Sequence, residues 1–309
     1  MTQAIAFSEF GSADVLRPLD IDVPEPGPGQ VRIAVRAAGV NPVDHKIRAG
    51  LMKDVFPVEL PHVPGVEAAG VVESVGEGVT GFMTGEAVFG PTLSGSYARL
   101  ALADAGKLVI KPDDLGFPEG AALPVAAETA YRALELLGVS GGETLIVHGA
   151  AGGVGSLAAQ LAVARGLRVI GTASKRNHGH LRALGAIPVV YGDGLVDRVR
   201  AVAPAGVDAA FDTTGLAESL AASVELTGGK DRVVTIGSPV TAAEYGVAFS
   251  SGAGPDGYRG GPAFEEVLAL HAASRLEIAI HHAYPLAEAA DAQRASEAGH
   301  LAGKIVLTV

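Results

Sequence analysis

The heptapeptide GAAGGVG, residues 149–155, constrains this chain more than any other stretch. Before it stands TLIVH (144–148), short and β-branched. After it comes SLAAQLAVAR (156–165), unbranched, alanine-rich and helical in pattern. A strand that turns through glycines straight into a helix is the phosphate-binding turn of a doubly wound parallel sheet. From Ala150 the turn reads A-x-G-x-x-G. In that frame Gly152 lets the backbone approach a pyrophosphate with no Cβ in the way, and Gly155 lets the helix lie close on the sheet. The helix start offers free N–H groups and a partial positive charge to phosphate. Ala150, Gly152, Gly153, Val154 and Gly155 are therefore expected to hold a dinucleotide. The same stretch contains 21 uncharged residues, 144–164, enough to imitate a membrane span. Its glycines, His148 and the change of texture argue for strand, turn and helix instead.

From about residue 124 onward the chain alternates in this way. Strands are expected at 144–148, 168–171, 189–191, 207–211, 232–236 and 245–249. Helices are expected at 156–165, 179–184, 195–202 and 216–226. Such alternation argues for a parallel sheet with helices on both faces. Only 18% of residues are charged, as suits strands buried on both sides.

Residues 1–123 have another texture. Short apolar strands at 3–7, 30–37, 69–75, 87–89, 97–102 and 108–110 are broken by Gly and Pro. The run PEPGPG (24–29) can be neither helix nor central strand. A compact β domain or partial barrel is expected. The tail reads helix 264–273, strand 276–281, helix 286–298 and strand 304–309. Pattern alone leaves open whether that last strand closes the parallel sheet or returns to the first domain.

Composition removes other classes. There is no cysteine, hence no disulfide, no thiolate nucleophile and no Cys-ligated zinc. A net charge of −11 disfavours nucleic acid as a partner, because phosphate binding needs a basic face. The N-terminus lacks a basic segment followed by a long apolar one, so no secretory signal is expected, and the protein is expected to be soluble and cytoplasmic. GVSGG (138–142) matches G-x-S-x-G, but a helix precedes it and a strand follows, the reverse of a nucleophile elbow. The pairs His178/His180 and His281/His282 read as surface residues.

The choice between NAD and NADP lies about 20 residues past the glycines, where an acid would hold the ribose 2′-OH. Here the sequence is VIGTASKRNH (169–178), without an acid. Ser174, Lys175 and Arg176 suit a 2′-phosphate instead, through charge-assisted hydrogen bonds. NADP(H) is the expected cofactor.

Several segments together carry a family resemblance. They are AAGVNPVDHKIRAG (37–50), VPGVEAAGVVESVG (63–76), GSYARL (95–100), ALPVAAETAYRAL (122–134), GGETLIVHGAAGGVGSLAAQ (141–160), FDTTG (211–215) and AGKIVLTV (302–309). In this order they resemble a medium-chain dehydrogenase/reductase of the zinc-free quinone oxidoreductase branch. The resemblance implies an α/β chain of two parts, a GroES-like β-rich catalytic domain (1–123 and 256–309) and a Rossmann domain (124–255), with the active site in the cleft. Zinc-dependent relatives carry ligands where this chain has Asn41, Val66 and Val125, so no metal is expected.

Hydride transfer from NADPH to a quinone or an α,β-unsaturated carbonyl is the implied reaction. By resemblance Asn41 and Thr129 lie near the nicotinamide, Tyr191 near the 2′-phosphate, and Gly237 lines the cofactor cleft. Glu67 keeps the family's acidic place, there to bind backbone or pair with a base. The proton comes from His45, His62 or water. An enoyl-thioester reductase, or a nicotinamide-binding sensor with little turnover, are the alternative readings. A homodimer is implied by the resemblance alone.

Overall fold

The computed structural model describes residues 1–252 and 257–309. The chain divides into two compact units, Met1–Val125 with Ile278–Val309, and Ala126–Glu277. The first crossing falls inside the helix Pro124–Leu137. The sequence boundary at 255/256 lies outside the described residues. Compactness sets the second crossing at 277/278, so the helix Gly260–Ala272 goes with the second unit.

The second unit is built on six parallel strands. In chain order they are Thr144–His148, Arg168–Thr172, Ile187–Val189, Ala209–Asp212, Val233–Thr235 and Ala248–Phe249. Their spatial order is 3-2-1-4-5-6, the doubly wound arrangement in which order reverses between the first and fourth strands. All five residues of Thr144–His148 are buried, as a central strand covered on both faces requires. Ile146, Ile170, Val189, Ala210, Val233 and Leu220 share one core cluster.

Two expected elements differ. The third strand ends at Val189, so Tyr191 lies in the loop beyond it. Residues 245–249 are only partly strand, because the helix Pro239–Tyr245 occupies the approach. Its signals are ordinary ones. Ser238 accepts from the Thr241 amide over 3.2 Å, Pro239 opens the first turn, and Gly246 ends the helix at φ 65°.

In the first unit, a seven-stranded sheet is organised by one long strand, Gln30–Val40. One edge of it pairs with Glu67–Val75 throughout. The other edge is shared. Its first half pairs with Leu100–Asp104 and its second half with Lys304–Thr308. Register shifts fall between Arg32 and Ile33 and, where the partner on the other edge changes, between Val35 and Ala37. Burial changes there too, from strict alternation to a run buried on both faces. The tail strand thus returns to this unit, which resolves the ambiguity left by pattern. Lys304–Thr308 also carries Ile280–Pro285 as a parallel neighbour.

Arg17–Ile21, paired with Thr2–Ala6, was not legible as a strand because four of its five residues are exposed. Among the described residues, no helix is long and apolar enough to cross a membrane.

Candidate functional site

The glycine turn joins strand to helix as its sequence predicts, and it stands at the switch point of the parallel sheet. Each glycine there answers to a different constraint. At Gly155 a Cβ would lie 2.3 Å from the Gly149 carbonyl oxygen and 2.9 Å from Ala150 Cα, so only glycine lets the helix Gly153–Ala164 pack on the turn. At Gly152 a Cβ would meet, among the described residues, only the Gly149 oxygen, at 3.4 Å. The described residues therefore do not by themselves demand glycine at 152. No side chain caps the helix, which leaves its opening amides at Gly153, Val154 and Gly155 to an outside acceptor. Ala150 is buried, its amide held by the Thr172 carbonyl over 3.1 Å.

Sequence reasoning missed the group that holds the neighbouring turn, after the fourth strand. Asp212, buried at the end of the fourth strand, accepts from the Thr214 amide (3.0 Å), the Thr214 hydroxyl (2.6 Å), the Gly215 amide (2.8 Å) and the Thr235 hydroxyl (2.6 Å). It ties the fourth-strand turn to the fifth strand. Gly237 sits on the next turn. A Cβ there would lie 2.1 Å from the Gly215 nitrogen, so its glycine serves the packing of two backbone turns. His148 is wholly buried, and desolvation pushes its pKa down to about 4 despite the nearby Asp212 charge. It is a neutral ring in the core of the turn.

At the end of the second strand, Ser174 leads into a short 3-10 turn, Lys175–Asn177, with Lys175 and Arg176 exposed. No acid lies between Thr172 and His178. Tyr191 is 45% exposed. Its loop is clamped by Arg198, whose guanidinium donates to the carbonyls of Val190 (3.0 Å), Tyr191 (3.2 Å), Gly192 (3.0 Å) and Asp193 (2.7 Å). Thr129 is buried on Pro124–Leu137.

The first unit holds a second polar cluster, around Asn41. Asn41 precedes the helix Pro42–Arg48, and its amide N–H donates to Asp44 Oδ2 over 2.9 Å. Its side chain, 5% exposed, donates from Nδ2 to Glu67 Oε1 over 2.6 Å. The Lys304 ammonium donates to Asn41 Oδ1 (2.6 Å) and to Glu67 Oε1 (2.7 Å). Glu67 Oε2 accepts from the Val125 amide over 2.7 Å. Glu67 thus both binds backbone and pairs with a base, the two roles expected for it.

Lys304 was not singled out, although a lysine opening the apolar run KIVL must find a buried partner. Of the three places where zinc-dependent relatives carry ligands, two are valines with no donor atom. The third, Asn41, already has both ends of its amide engaged. Among the described residues no group of three or more His, Cys, Asp or Glu could hold a metal.

His45 and His62 are not brought into that cluster by any hydrogen bond. His45 is half-buried, with Nδ1 4.0 Å from Glu297 Oε1. His62 packs its ring edge-on against Phe7 at 5.4 Å, and its backbone is paired with Phe7. Burial lowers both pKa values, and for His45 the Glu297 charge opposes that shift.

Comparisons with known proteins agree with this arrangement. The model of the alcohol dehydrogenase GroES-like domain matches residues 27–122, and that of the zinc-binding dehydrogenase matches residues 184–307. Quinone oxidoreductase from Sus scrofa is 36% identical over 245 residues, 77% of this chain and 74% of that one. The Homo sapiens quinone oxidoreductase is 45% identical over 176 residues, 56% of this chain, so the match spans about half (53%) of that relative's length. A mycobacterial protein solved in complex with NADPH superposes with a TM-score of 0.86 at 30% identity, covering 100% of both chains.

Proposed function

This chain belongs to the medium-chain dehydrogenase/reductase family, in its quinone oxidoreductase branch, and from that premise we propose that it is an NADPH-dependent reductase of quinones or α,β-unsaturated carbonyls that works without a metal. The observation that carries the reading is the glycine turn. An uncapped helix start and a Gly152 that no described residue crowds fit a pyrophosphate, while Lys175 and Arg176 stand where an NAD site would have an acid. A dinucleotide would be held by Ala150, Gly152, Gly153, Val154 and Gly155 at its pyrophosphate. Ser174, Lys175, Arg176 and Tyr191 would serve its 2′-phosphate, and Thr129 its nicotinamide end. When bound, the reduced nicotinamide supplies a hydride.

The protein's own part is to position the acceptor and donate to the oxygen on which charge develops. Asn41 is the donor we assign to that oxygen. Quinones and enones suit such a site because their carbonyl is already conjugated to the carbon that is reduced, so no Lewis acid is required. Zinc does not fit the donor set of Asn41, Val66 and Val125. His45 and His62, with pKa values lowered by burial, are unprotonated near neutrality, and we assign the final proton to water. A homodimer is the assembly we expect.

The test is NADPH oxidation against a panel of quinones, enones and acyl-thioesters, with NADH in parallel and with a chelator added. Turnover with quinones or enones, a preference for NADPH and indifference to the chelator are expected. A protein that binds NADPH tightly and oxidises it with no acceptor would overturn the reductase reading, and activity confined to acyl-thioesters would move it to another substrate class.

A further inference from the structure

We propose that Lys304 is a positioning residue for this reaction. Together with Glu67 it locks the Asn41 amide in one orientation, so that a single Nδ2 hydrogen is presented to the acceptor's carbonyl oxygen. The inference rests on the reductase reading above and deepens it.

An asparagine amide can usually be turned over, with nitrogen and oxygen exchanged, at little cost. Here it cannot. An ammonium has only hydrogens to give and a carboxylate only lone pairs. Lys304 Nζ lies 2.6 Å from Asn41 Oδ1, and Glu67 Oε1 lies 2.6 Å from Asn41 Nδ2. Exchanging the two would set donor against donor and acceptor against acceptor. The lock is built deep in the fold. Glu67 is fully buried and Lys304 is 8% exposed. Glu67 Oε1 also takes a 2.7 Å bond from Lys304, while Oε2 is fixed by the Val125 amide.

Gly39 completes the seat. A Cβ there would lie 2.2 Å from Glu67 Oε1, so a glycine is needed for the carboxylate to occupy this place. With Oδ1 facing the ammonium and one Nδ2 hydrogen facing the carboxylate, the second Nδ2 hydrogen is what the amide has left to offer. A donor preset in this way needs no reorganisation when charge develops on a substrate oxygen.

A buried ion pair could serve stability alone, so the experiment separates the two roles. Lys304→Met leaves Glu67 uncompensated, whereas the double variant Glu67→Gln with Lys304→Met removes both charges at once. The readouts are melting temperature, NADPH dissociation constant, kcat and KM, and the Asn41 side-chain amide resonances in a 1H–15N spectrum. The double variant is expected to regain melting temperature over Lys304→Met. Its NADPH binding is expected to be unchanged. Its kcat should stay roughly 10- to 100-fold below wild type, the scale on which supports of a working side chain act. Asn41's two amide protons, one of them bonded to the carboxylate in the wild type, should lie closer together in the variant.

Lys304→Arg, which keeps the cation, is expected to retain more turnover than the neutral pair. Recovery of kcat along with melting temperature in the double variant, equal losses in Lys304→Arg and the neutral pair, or an Asn41 signal that does not respond would each overturn the proposal. A wild type idle on every acceptor would sink the reductase reading instead. The amide resonances alone then decide whether Lys304 orients Asn41.

Discussion

The Tyr97 hydroxyl donates to Asp44 Oδ2 over 3.0 Å, and both side chains are buried. The same carboxylate oxygen accepts the Asn41 amide, so Asp44 anchors the residue that the Glu67–Lys304 pair orients from the other side. Among the described residues Asp44 Oδ1 has no hydrogen-bond partner. Burial pushes the Asp44 pKa up to about 7, against the pull of its two hydrogen bonds. The carboxyl is thus poised between its acid and its carboxylate near neutral pH, directly behind the proposed reaction site.

A pH-dependent stability follows from that poise. In the unfolded chain an aspartate titrates near pH ~3.9. Between that value and about 7, folding takes up a proton at Asp44. Its contribution to stability is therefore fully present below the unfolded pKa and is lost as pH rises through the folded one. A rise of three pKa units sets the upper bound at about 4 kcal/mol. Asp44→Asn has no proton to take up. The melting temperature of the variant relative to wild type is expected to climb from pH ~4 to ~7 and then level off. The half-buried His45 and His62 titrate in both proteins and drop out of the difference. A difference independent of pH would show that Asp44 is ionised throughout.

Two of the four glycines of the turn, Gly155 and Gly152, make opposite predictions. Gly155→Ala drives a methyl group against the Gly149 carbonyl at 2.3 Å, so the helix must move. A loss of stability of about 1–3 kcal/mol is expected, the range for overpacked sites. Gly152→Ala meets nothing closer than 3.4 Å among the described residues and should melt close to wild type. It is nevertheless expected to weaken NADPH binding, because its methyl group would enter the space proposed for the pyrophosphate. Thermal melts and cofactor titration on both variants check this. Tight NADPH binding by Gly152→Ala would place the pyrophosphate elsewhere.

The difference in legibility between the two units has a physical cause. In the parallel sheet, strand and helix alternate with strong local patterns, and the glycine turn, its helix and the residues around Lys175 could be read from adjacent letters. Tyr191 fell just outside its expected strand because Arg198, seven positions on, draws the loop carbonyls out of the ladder. The first unit is held by distant pairs. Asn41, Glu67 and Lys304 are brought together across more than 230 positions of sequence, and no local window relates them. Family resemblance named Asn41 and Glu67, while Lys304 looked like one lysine opening a strand. Arg17–Ile21 shows the converse limit, since an exposed strand leaves no hydrophobic pattern to read.

Cofactor preference should respond to single charges. Lys175→Ala and Arg176→Ala each remove a cation from the end of the second strand, and a charge-assisted hydrogen bond contributes about 1.5–3 kcal/mol. Loss of either bond is expected to reduce the NADPH over NADH ratio of kcat/KM by roughly ten-fold or more, with NADH turnover little changed. Arg198→Ala is expected to lower the same ratio less, by loosening the loop that carries Tyr191. If all three variants keep the wild-type ratio, the 2′-phosphate is not recognised at this place.

The two histidines near the Asn41 helix supply the last prediction. His45 faces Glu297 at 4.0 Å and His62 lies against the Phe7 ring. Burial lowers both pKa values, so at neutral pH each ring lacks the second proton that a general acid must give away. His45→Gln and His62→Gln are therefore expected to keep kcat within about three-fold of wild type, well short of the 10²–10⁴-fold cost of removing a true proton donor. His62→Gln should also melt lower, because it exchanges an aromatic contact for a polar side chain beside Phe7. Steady-state kinetics between pH 5 and pH 8 decide the matter. A kcat that falls as pH rises through the range where a histidine titrates, and that loses this dependence in one variant only, would identify that histidine as the acid and remove water from the role.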